Sequence, residues 1–247
     1  MSKGIVLSLY DFTGEALRPW ADAGYTCHAF DIQHTGTQPD FENTQFFAGG
    51  GSITYRHADL HKQATYQALL QEFGDNGDLV VFGMAWPVCT DMSVSGASHF
   101  ARKAKANPSF QMDAVGYAVD CADFFEDLGV PYFIENPVSV LATQWRKPDY
   151  RFHPYEYGGY IGYEEAEHPR WPEYIAPYDA YPKKTCLWSG GGFVMPKKAP
   201  VPVPEGYSTQ HKKLGGKSQR TKDIRSATPR GFAIAIYEAN KREYHNA

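Results

Sequence analysis

Short apolar runs alternate along this chain with longer stretches in which apolar residues recur about once per helical turn. The runs predicted to be strands cover residues 5–10, 25–32, 53–55, 78–84 and 132–134. The stretches predicted to be helices cover residues 15–23, 61–73, 110–128 and 233–240. Strands that alternate with helices in this way predict an α/β fold with a mostly parallel sheet and helices on both of its faces.

Polar residues follow directly after several of the predicted strands. The carboxyl ends of parallel strands meet at one edge of a sheet, and ligands of open α/β sheets bind outside that edge. The candidate residues there are Asp11 to Gly14, Asp31, Asp59, Cys89 and Glu135. Each one alone has an ordinary alternative as a turn or helix-capping residue, so it is their joint order that favours a site.

The segment Tyr10-Asp11-Phe12-Thr13-Gly14 predicts a sharp turn from the first strand into a helix. Such a turn exposes backbone N–H groups that suit a carboxylate or another anionic group. Asp31 is placed to bind a ribose hydroxyl, and Asp59 is placed to accept a hydrogen bond from an adenine amino group. These positions together predict a cofactor site at this edge of the sheet.

The chain has four cysteines, and Cys89 differs from the rest in position. It follows a buried strand through Trp86-Pro87-Val88, which would set its thiol on a rigid loop, accessible to a substrate. Glu135 ends another apolar strand, where a carboxylate beside the thiol would assist nucleophilic attack. A buried structural cysteine is the usual alternative, and it is the interpretation favoured for Cys27, Cys121 and Cys186.

Positive charge is concentrated in residues 211–230 although the formal net charge of the chain is -4. Such a segment predicts either phosphate contacts or a solvated loop. A second basic run, Arg102-Lys103-Ala104-Lys105, follows Cys89 and is interpreted as a mobile lid that joins those contacts. The nine histidines show no recognised zinc spacing, so no metal is expected.

Composition predicts three parts of the chain. Residues 1–147 form the catalytic and cofactor-binding core, residues 148–230 form an irregular, basic region, and residues 231–247 form a helix that packs back on the core. No run approaches membrane-spanning length, the N-terminus predicts a first strand instead of a leader, and the cysteines indicate reduced thiols. A cytoplasmic monomer is therefore expected.

These motifs, in this order, resemble those of the DNA (cytosine-5) methyltransferases, most closely the compact members carried by bacteriophages. Tyr10 to Gly14 corresponds to the first cofactor motif, in which Tyr10 takes the place of an aromatic that stacks on adenine. Pro87-Val88-Cys89 corresponds to the Pro-Cys catalytic motif, which Ser93 to Gly96 continues. Glu135-Asn136 corresponds to the Glu-Asn motif that engages a flipped cytosine.

The resemblance implies a Rossmann-like methyltransferase sheet with a small target-recognition region, S-adenosylmethionine as cofactor and DNA as substrate, with Cys89 and Glu135 as the catalytic pair. The cofactor contacts that it implies are Tyr10, Asp11, Thr13, Gly14, Asp31, Ile32, Asp59 and Leu60. The substrate contacts that it implies are Pro87, Ser93, Asn136, Lys183, Lys184, Lys217, Arg220, Lys222 and Arg225. A duplex would present its cytosine by base flipping.

The chain also departs from the family pattern. Ser8 and Phe12 occupy places where the first motif has an acidic residue and a glycine, and Val88 separates the proline from the cysteine. Residues 183–185, Lys-Lys-Thr, replace the arginine-rich motif at the ring carbonyl. The short recognition region leaves open two alternatives: modification of a free cytosine nucleotide or single strand, and a non-catalytic decoy that binds nucleic acid.

Overall fold

The computed structural model describes residues 2–35, 43–74, 79–205, 210, 213–215 and 218–241. The chain divides into two compact units. The first unit comprises Met1–Arg151 and Thr185–Phe193, and the second comprises Phe152–Lys184 and Val194–Lys241. No helix in the described ranges has the length and apolar character needed to cross a membrane.

An eight-stranded mixed sheet forms the framework of the fold. Its strands are β1 (Ile5–Leu9), β2 (Thr26–Asp31), β3 (Thr44–Phe46), β4 (Ser52–His57), β5 (Val80–Ala85), β6 (Tyr132–Pro137), β7 (Tyr150–Phe152) and β8 (Thr185–Gly190). They lie in the order β3-β4-β2-β1-β5-β6-β8-β7. The five strands from β4 to β6 in that order are parallel, whereas β3 pairs antiparallel with β4 and β8 pairs antiparallel with β6.

The described α-helices vary in length from one turn to five. They are α1 (Arg18–Asp22), α2 (Gln63–Gly74), α3 (Phe100–Ala106), α4 (Phe110–Asp127), α5 (Leu141–Gln144), α6 (Gln219–Ser226) and α7 (Arg230–Asn240). A 3₁₀ turn, Glu15–Leu17, precedes α1. Every strand and helix predicted from the sequence is present, with ends that differ by a few residues.

Helices cover both faces of the sheet, as the alternation of elements predicted. Neighbouring residues of a strand point to opposite faces. On β5, the Phe82 ring lies 5.1 Å from that of Trp20 on α1, whereas the next residue, Gly83, faces Phe125 on α4. A Cβ atom at Gly83 would lie 2.3 Å from the Phe125 ring, so this glycine permits α4 to approach the sheet.

The second unit has little regular structure apart from α6, α7 and three 3₁₀ turns, Pro154–Tyr160, Tyr163–Glu165 and Pro177–Asp179. The Phe232 ring of α7 stacks on Phe152 at 3.9 Å and packs against Tyr157. A separate apolar cluster contains Ile175, Tyr181, Leu214, Ile224 and Ala227. Within the region 148–230 that was expected to be irregular, residues 153–184 contain only 3₁₀ turns, whereas β8 and α6 are regular elements.

The observed units correct the predicted division at two points. Residues 185–193 belong to the first unit, because β8 pairs along its whole length with β6. Helix α7 belongs to the second unit and not to the core, because its apolar side chains pack against the turn at Pro154–Tyr160 and the main-chain N–H and guanidinium of its first residue, Arg230, bind Asp179.

Candidate active site

The order of the parallel strands reverses between β1 and β5, which are hydrogen-bonded neighbours. In doubly wound sheets a crevice opens at this switch point, outside the carboxyl ends of the two strands, and ligands bind there. The segment after β1 contains Tyr10 to Gly14, and the segment after β5 contains Cys89. The predicted cofactor turn and the predicted nucleophile therefore follow the two neighbouring strands of the switch point, where such a crevice is expected.

Asp11 organises the turn after β1, and this corrects its predicted role. Its side chain is buried, and one carboxylate oxygen accepts hydrogen bonds from the Gly14 N–H at 2.8 Å and the Thr13 N–H at 3.1 Å. These are N–H groups that the sequence offered to an external anion. Because the short carboxylate of Asp11 folds back onto them, they are already occupied by the protein itself, and Asp11 shapes the turn.

Two residues of this turn have left-handed backbones, Tyr10 with φ +57° and Gly14 with φ +67°. A side chain at Gly14 would also meet the Tyr55 hydroxyl at 2.8 Å, so glycine is required for space as well as for conformation. A left-handed tyrosine is uncommon and costs energy, and such residues cluster at functional sites. Tyr10 is held in place because its hydroxyl donates to the Leu60 carbonyl at 2.8 Å.

Tyr10 and Leu60 were expected to contact a cofactor, but the Tyr10 ring is partly buried and the Leu60 side chain is buried. Tyr10 packs against the apolar core, with its ring 5.9 Å from His61, and burial raises the pKa of its hydroxyl. The Leu60 side chain is buried, so Leu60 contributes its carbonyl to the site and not its side chain. The larger exposed apolar surfaces at this edge belong to Phe12 and Ile32, which are 38% and 54% exposed.

A histidine at this edge was not singled out from the sequence. The His34 ring stacks on Phe12 at 5.6 Å, and its Nε2 lies 3.0 Å from the Asp11 carbonyl oxygen. The His57 ring hydrogen-bonds the His34 carbonyl at 3.0 Å. The only signal in the sequence was the position of His34, three residues after Asp31 at a strand end.

Asp31 ends β2, and Asp59 follows the neighbouring strand β4. The N–H of Ala58, the residue before Asp59, donates to the Asp31 carbonyl at 3.1 Å. The Asp31 carboxylate is buried and accepts from the Gln33 N–H at 2.8 Å. Asp59 forms an ion pair with Lys62 at 2.9 Å. That hydrogen-bonded ammonium lowers the pKa of Asp59, so its carboxylate is ionised near neutral pH.

Cys89 is half-buried, whereas Cys27, Cys121 and Cys186 are buried. Burial raises the pKa of the Cys27 thiol, and it raises the pKa of Cys121 to about 12. A buried neutral thiol is a poor nucleophile. The structure therefore confirms the structural interpretation of those three cysteines and leaves Cys89 as the accessible thiol.

Direct hydrogen bonds tie the Cys89 loop to the end of β6. The Asn136 side chain donates to the Pro87 carbonyl at 3.0 Å, and the Val94 N–H donates to the Val138 carbonyl at 3.1 Å. The Cys89 carbonyl accepts from the Ser93 N–H at 2.8 Å, which closes a turn around the thiol. Glu135 lies within β6, where it pairs with Leu187, and Cys89 lies four residues beyond the end of the parallel neighbour β5.

Three predicted substrate contacts have a different role in the structure. Asn136 is fully buried, and Pro87 and Ser93 are buried as well. Asn136 binds the Pro87 carbonyl, and Ser93 closes the turn and bridges to Ser139. These residues position the Cys89 loop, because strand-end loops can be fixed only by groups that point into the protein.

The predicted phosphate-binding residues divide into two groups. Lys183 donates to the Arg225 carbonyl at 3.0 Å, and Arg225 donates to the Leu214 carbonyl at 2.7 Å, so both support the second unit. Arg225 is nevertheless exposed, as are Lys184, Arg220 and Lys222. Lys217 lies outside the described residues.

The basic run after Cys89 lies in α3, and Lys103 there is engaged by its own chain. Its ammonium pairs with the Asp91 carboxylate and donates to the Thr90 carbonyl at 3.3 Å. In the part of the chain that the structure describes, no three His, Cys, Asp or Glu side chains form a cluster able to hold a metal ion.

No protein-family model and no curated protein matches the chain. The function must therefore be argued from the residues and their geometry.

Proposed function

We propose that this protein transfers a methyl group from S-adenosylmethionine to carbon 5 of cytosine in DNA through a covalent adduct on Cys89. The observation that carries this proposal is the arrangement at the switch point. The one accessible thiol among the four cysteines follows β5, and the neighbouring strand β6 contains Glu135 and is tied to the Cys89 loop through the next residue, Asn136. The cofactor turn follows β1, on the other side of the crevice.

Cytosine carbon 5 is a weak nucleophile, so the ring must be activated before it accepts a methyl group. Addition of the Cys89 thiolate to carbon 6 makes carbon 5 enamine-like. Glu135 would act as the acid at ring nitrogen 3, where its carboxyl group donates a proton to the charge that develops. Carbon 5 would then take the methyl group and S-adenosylhomocysteine would leave, after which transfer of the carbon 5 proton to a base would expel the Cys89 thiolate and restore the aromatic ring.

The residues at the other strand ends fit an adenosine group. The Asp31 carboxylate would accept hydrogen bonds from ribose hydroxyls, and the ionised Asp59 carboxylate would accept one from an amino group. The exposed Ile32 side chain would provide an apolar surface for a planar base. When bound there, S-adenosylmethionine supplies the methyl group as an electrophile on its sulfonium. Asp11, Thr13 and Gly14 fix the turn beside it.

Exposed cations of the second unit support DNA as the substrate. Lys184, Arg220 and Lys222 are exposed, and the Arg220 guanidinium lies 5.8 Å from the centre of the Tyr174 ring. Backbone phosphates are the ligands that such side chains bind in nucleic acids, and an enzyme that modifies a base must take it out of the stack.

The test is incubation with labelled S-adenosylmethionine and each of three substrates: duplex DNA, single-stranded DNA and dCMP. We expect transfer of label to carbon 5 of cytosine in the duplex. Label on dCMP alone would replace DNA with a free nucleotide as substrate. No transfer to any of the three, with folded protein that binds S-adenosylhomocysteine, would support a non-catalytic role.

A further inference from the structure

A chain of hydrogen bonds crosses the switch point from one loop to the other. The Trp86 indole N–H donates to the Ser8 hydroxyl at 3.1 Å, and that hydroxyl donates to Asp11 at 2.8 Å. The other carboxylate oxygen of Asp11 accepts from the Thr13 and Gly14 N–H groups. We call the three side chains of Trp86, Ser8 and Asp11 the Ser8 relay.

The direction of each hydrogen bond in the Ser8 relay is fixed by chemistry. An indole N–H can only donate, so Ser8 accepts from Trp86 and its own proton is available to Asp11. When Asp11 is ionised, both of its oxygens accept, one from Ser8 and the other from the turn N–H groups. Burial raises the pKa of Asp11 while its hydrogen bonds lower it, so the relay and the charge of Asp11 depend on each other.

The Ser8 relay is enclosed by the sheet. Ser8 is fully buried, Asp11 is 4% exposed, and Ser8 pairs in register with Met84 on β5. The Trp86 main-chain N–H also donates to the Leu9 carbonyl at 3.0 Å. A buried polar group that loses its hydrogen-bond partner destabilises the fold more than an exposed one does. A movement that breaks a hydrogen bond at one end of the relay is therefore opposed by the hydrogen bonds at the other end.

The two ends of the relay have different neighbours. One end is the turn at Thr13 and Gly14, beside the proposed cofactor site. The other end is Trp86, which begins the loop that continues through Pro87 to Cys89. Because Asn136 holds the Pro87 carbonyl, a shift of Trp86 is transmitted along a loop with few other degrees of freedom.

We propose that Ser8 is a positioning residue that couples the cofactor turn to the Cys89 loop, so that a bound cofactor changes the reactivity of the Cys89 thiol. This inference rests on the proposed function for the identity of the cofactor. Ser8 stands where the resembling family has an acidic residue, so the coupling belongs to the Ser8 and Asp11 pair of this chain.

The test measures the rate at which iodoacetamide alkylates Cys89, located by peptide mapping, with and without S-adenosylhomocysteine and from pH 6 to 9. The variants are Ser8→Ala, which removes the centre of the relay, and Trp86→Phe, which removes only its indole donor. Trp188→Phe is the matched control, because it loses an indole bond of 2.6 Å to the Arg146 carbonyl in the same sheet. Calorimetry gives the S-adenosylhomocysteine Kd of each protein.

We expect S-adenosylhomocysteine to change the alkylation rate of the wild type by about two- to tenfold, the range of one net hydrogen bond. In Ser8→Ala and Trp86→Phe this ratio should approach one, while Trp188→Phe keeps it. Without ligand, the two relay variants should also shift the pH profile of alkylation.

The outcomes separate the two proposals. A wild type that fails to bind S-adenosylhomocysteine overturns the cofactor assignment, and the ligand-free pH profiles then decide whether Ser8 sets the reactivity of Cys89. If the ligand binds and its effect on alkylation is the same in wild type, Ser8→Ala and Trp86→Phe, the ligand merely shields the thiol and the coupling is wrong.

Discussion

The two units of the chain use buried polar groups for different purposes. In the first unit, Ser8, Asp11 and Asn136 lie between strand ends and connect the loops that carry the candidate site. In the second unit, Arg230 pairs with Asp179 and donates to main-chain carbonyls of a neighbouring irregular segment. Side chains of both units satisfy loop backbone, but in the first unit the satisfied groups lie on the strand-end loops of the candidate site, whereas Arg230 binds carbonyls of a segment that has no predicted site residue.

The same comparison applies to the cations. Lys183, Lys213 and Arg225 of the second unit donate to main-chain oxygens, although Lys213 and Arg225 belong to the basic segment 211–230 and are exposed. Lys184, Arg220 and Lys222 expose their side chains. Some cations of a basic segment therefore bind the main chain of the protein itself, and only the others are candidates for phosphate contacts.

Cys89→Ser is expected to have the largest effect, because it should abolish catalysis in the first unit and leave DNA binding by the second unit intact. Turnover should be abolished, because a serine hydroxyl is far less ionised than a thiol near neutral pH, while DNA affinity should stay within about twofold because the phosphate contacts remain. A DNA oligonucleotide containing 5-fluorocytosine should trap the wild type as a band of lower mobility on a denaturing gel. Cys27→Ala is the control, and an adduct that survives Cys89→Ser would contradict the assignment.

Glu135→Gln should give the next largest effect. The rate is expected to fall by about two to four orders of magnitude, the usual scale for loss of a group that transfers a proton or stabilises developing charge. Single-turnover kinetics measure it. Glu164→Gln, an exposed carboxylate of the second unit, removes the same charge and should leave the rate unchanged; equal losses in the two variants would show a nonspecific charge effect.

Replacement of Lys184, Arg220 and Lys222 by alanine should act on DNA affinity alone. A plot of log K for duplex DNA against log salt has a negative slope, and each lost phosphate contact makes that slope less steep by about 0.9. The slope of the triple variant should therefore be less steep than that of the wild type by about 2.7. Lys183→Ala is the comparison: it should lower the Tm through its lost bond to the Arg225 carbonyl and change the slope less. An unchanged slope in the triple variant would make this surface a solvated face.

The pH dependence of stability should be the mildest effect, with one histidine contributing in each unit. Burial, helped by the nearby Arg56, lowers the pKa of His28 to about 4. Burial, helped by Arg230 and Arg170, lowers the pKa of His168 to about 4. Both histidines are neutral in the folded protein. Their contribution to the free energy of unfolding is therefore complete above the unfolded pKa of 6.5 and is lost as the pH falls from there toward 4.

Each such histidine should lower the free energy of unfolding by about 1.4 kcal/mol per pH unit across that window. Denaturant titrations between pH 7 and 4 measure this slope. His28→Gln and His168→Asn should each flatten it, the second because an asparagine oxygen can still accept from the Arg170 and Trp171 N–H groups that His168 binds. A slope unchanged by both variants would show that neither histidine is held neutral.

Local pattern was enough to predict the elements that have a clear period. The strands β1 and β5 are largely apolar runs, and α4 repeats apolar residues at helical spacing, so the sequence predicts that they are buried. The strand β8 was missed because Thr185–Gly190 is a short run between basic and glycine-rich residues, and only its pairing with β6 makes it a strand.

The sequence by itself determined which residues stand at strand ends, since the period of the apolar runs fixes where each strand stops. It also determined that Cys89 differs from the other cysteines. Only the tertiary structure decided what those strand-end residues touch: that Asp11 occupies the turn N–H groups, that Asn136 holds Pro87, and that Lys183 and Arg225 serve the backbone. The physical reason is that a polar side chain bonds to whichever partner folding brings within about 3 Å, and that partner is often distant in sequence.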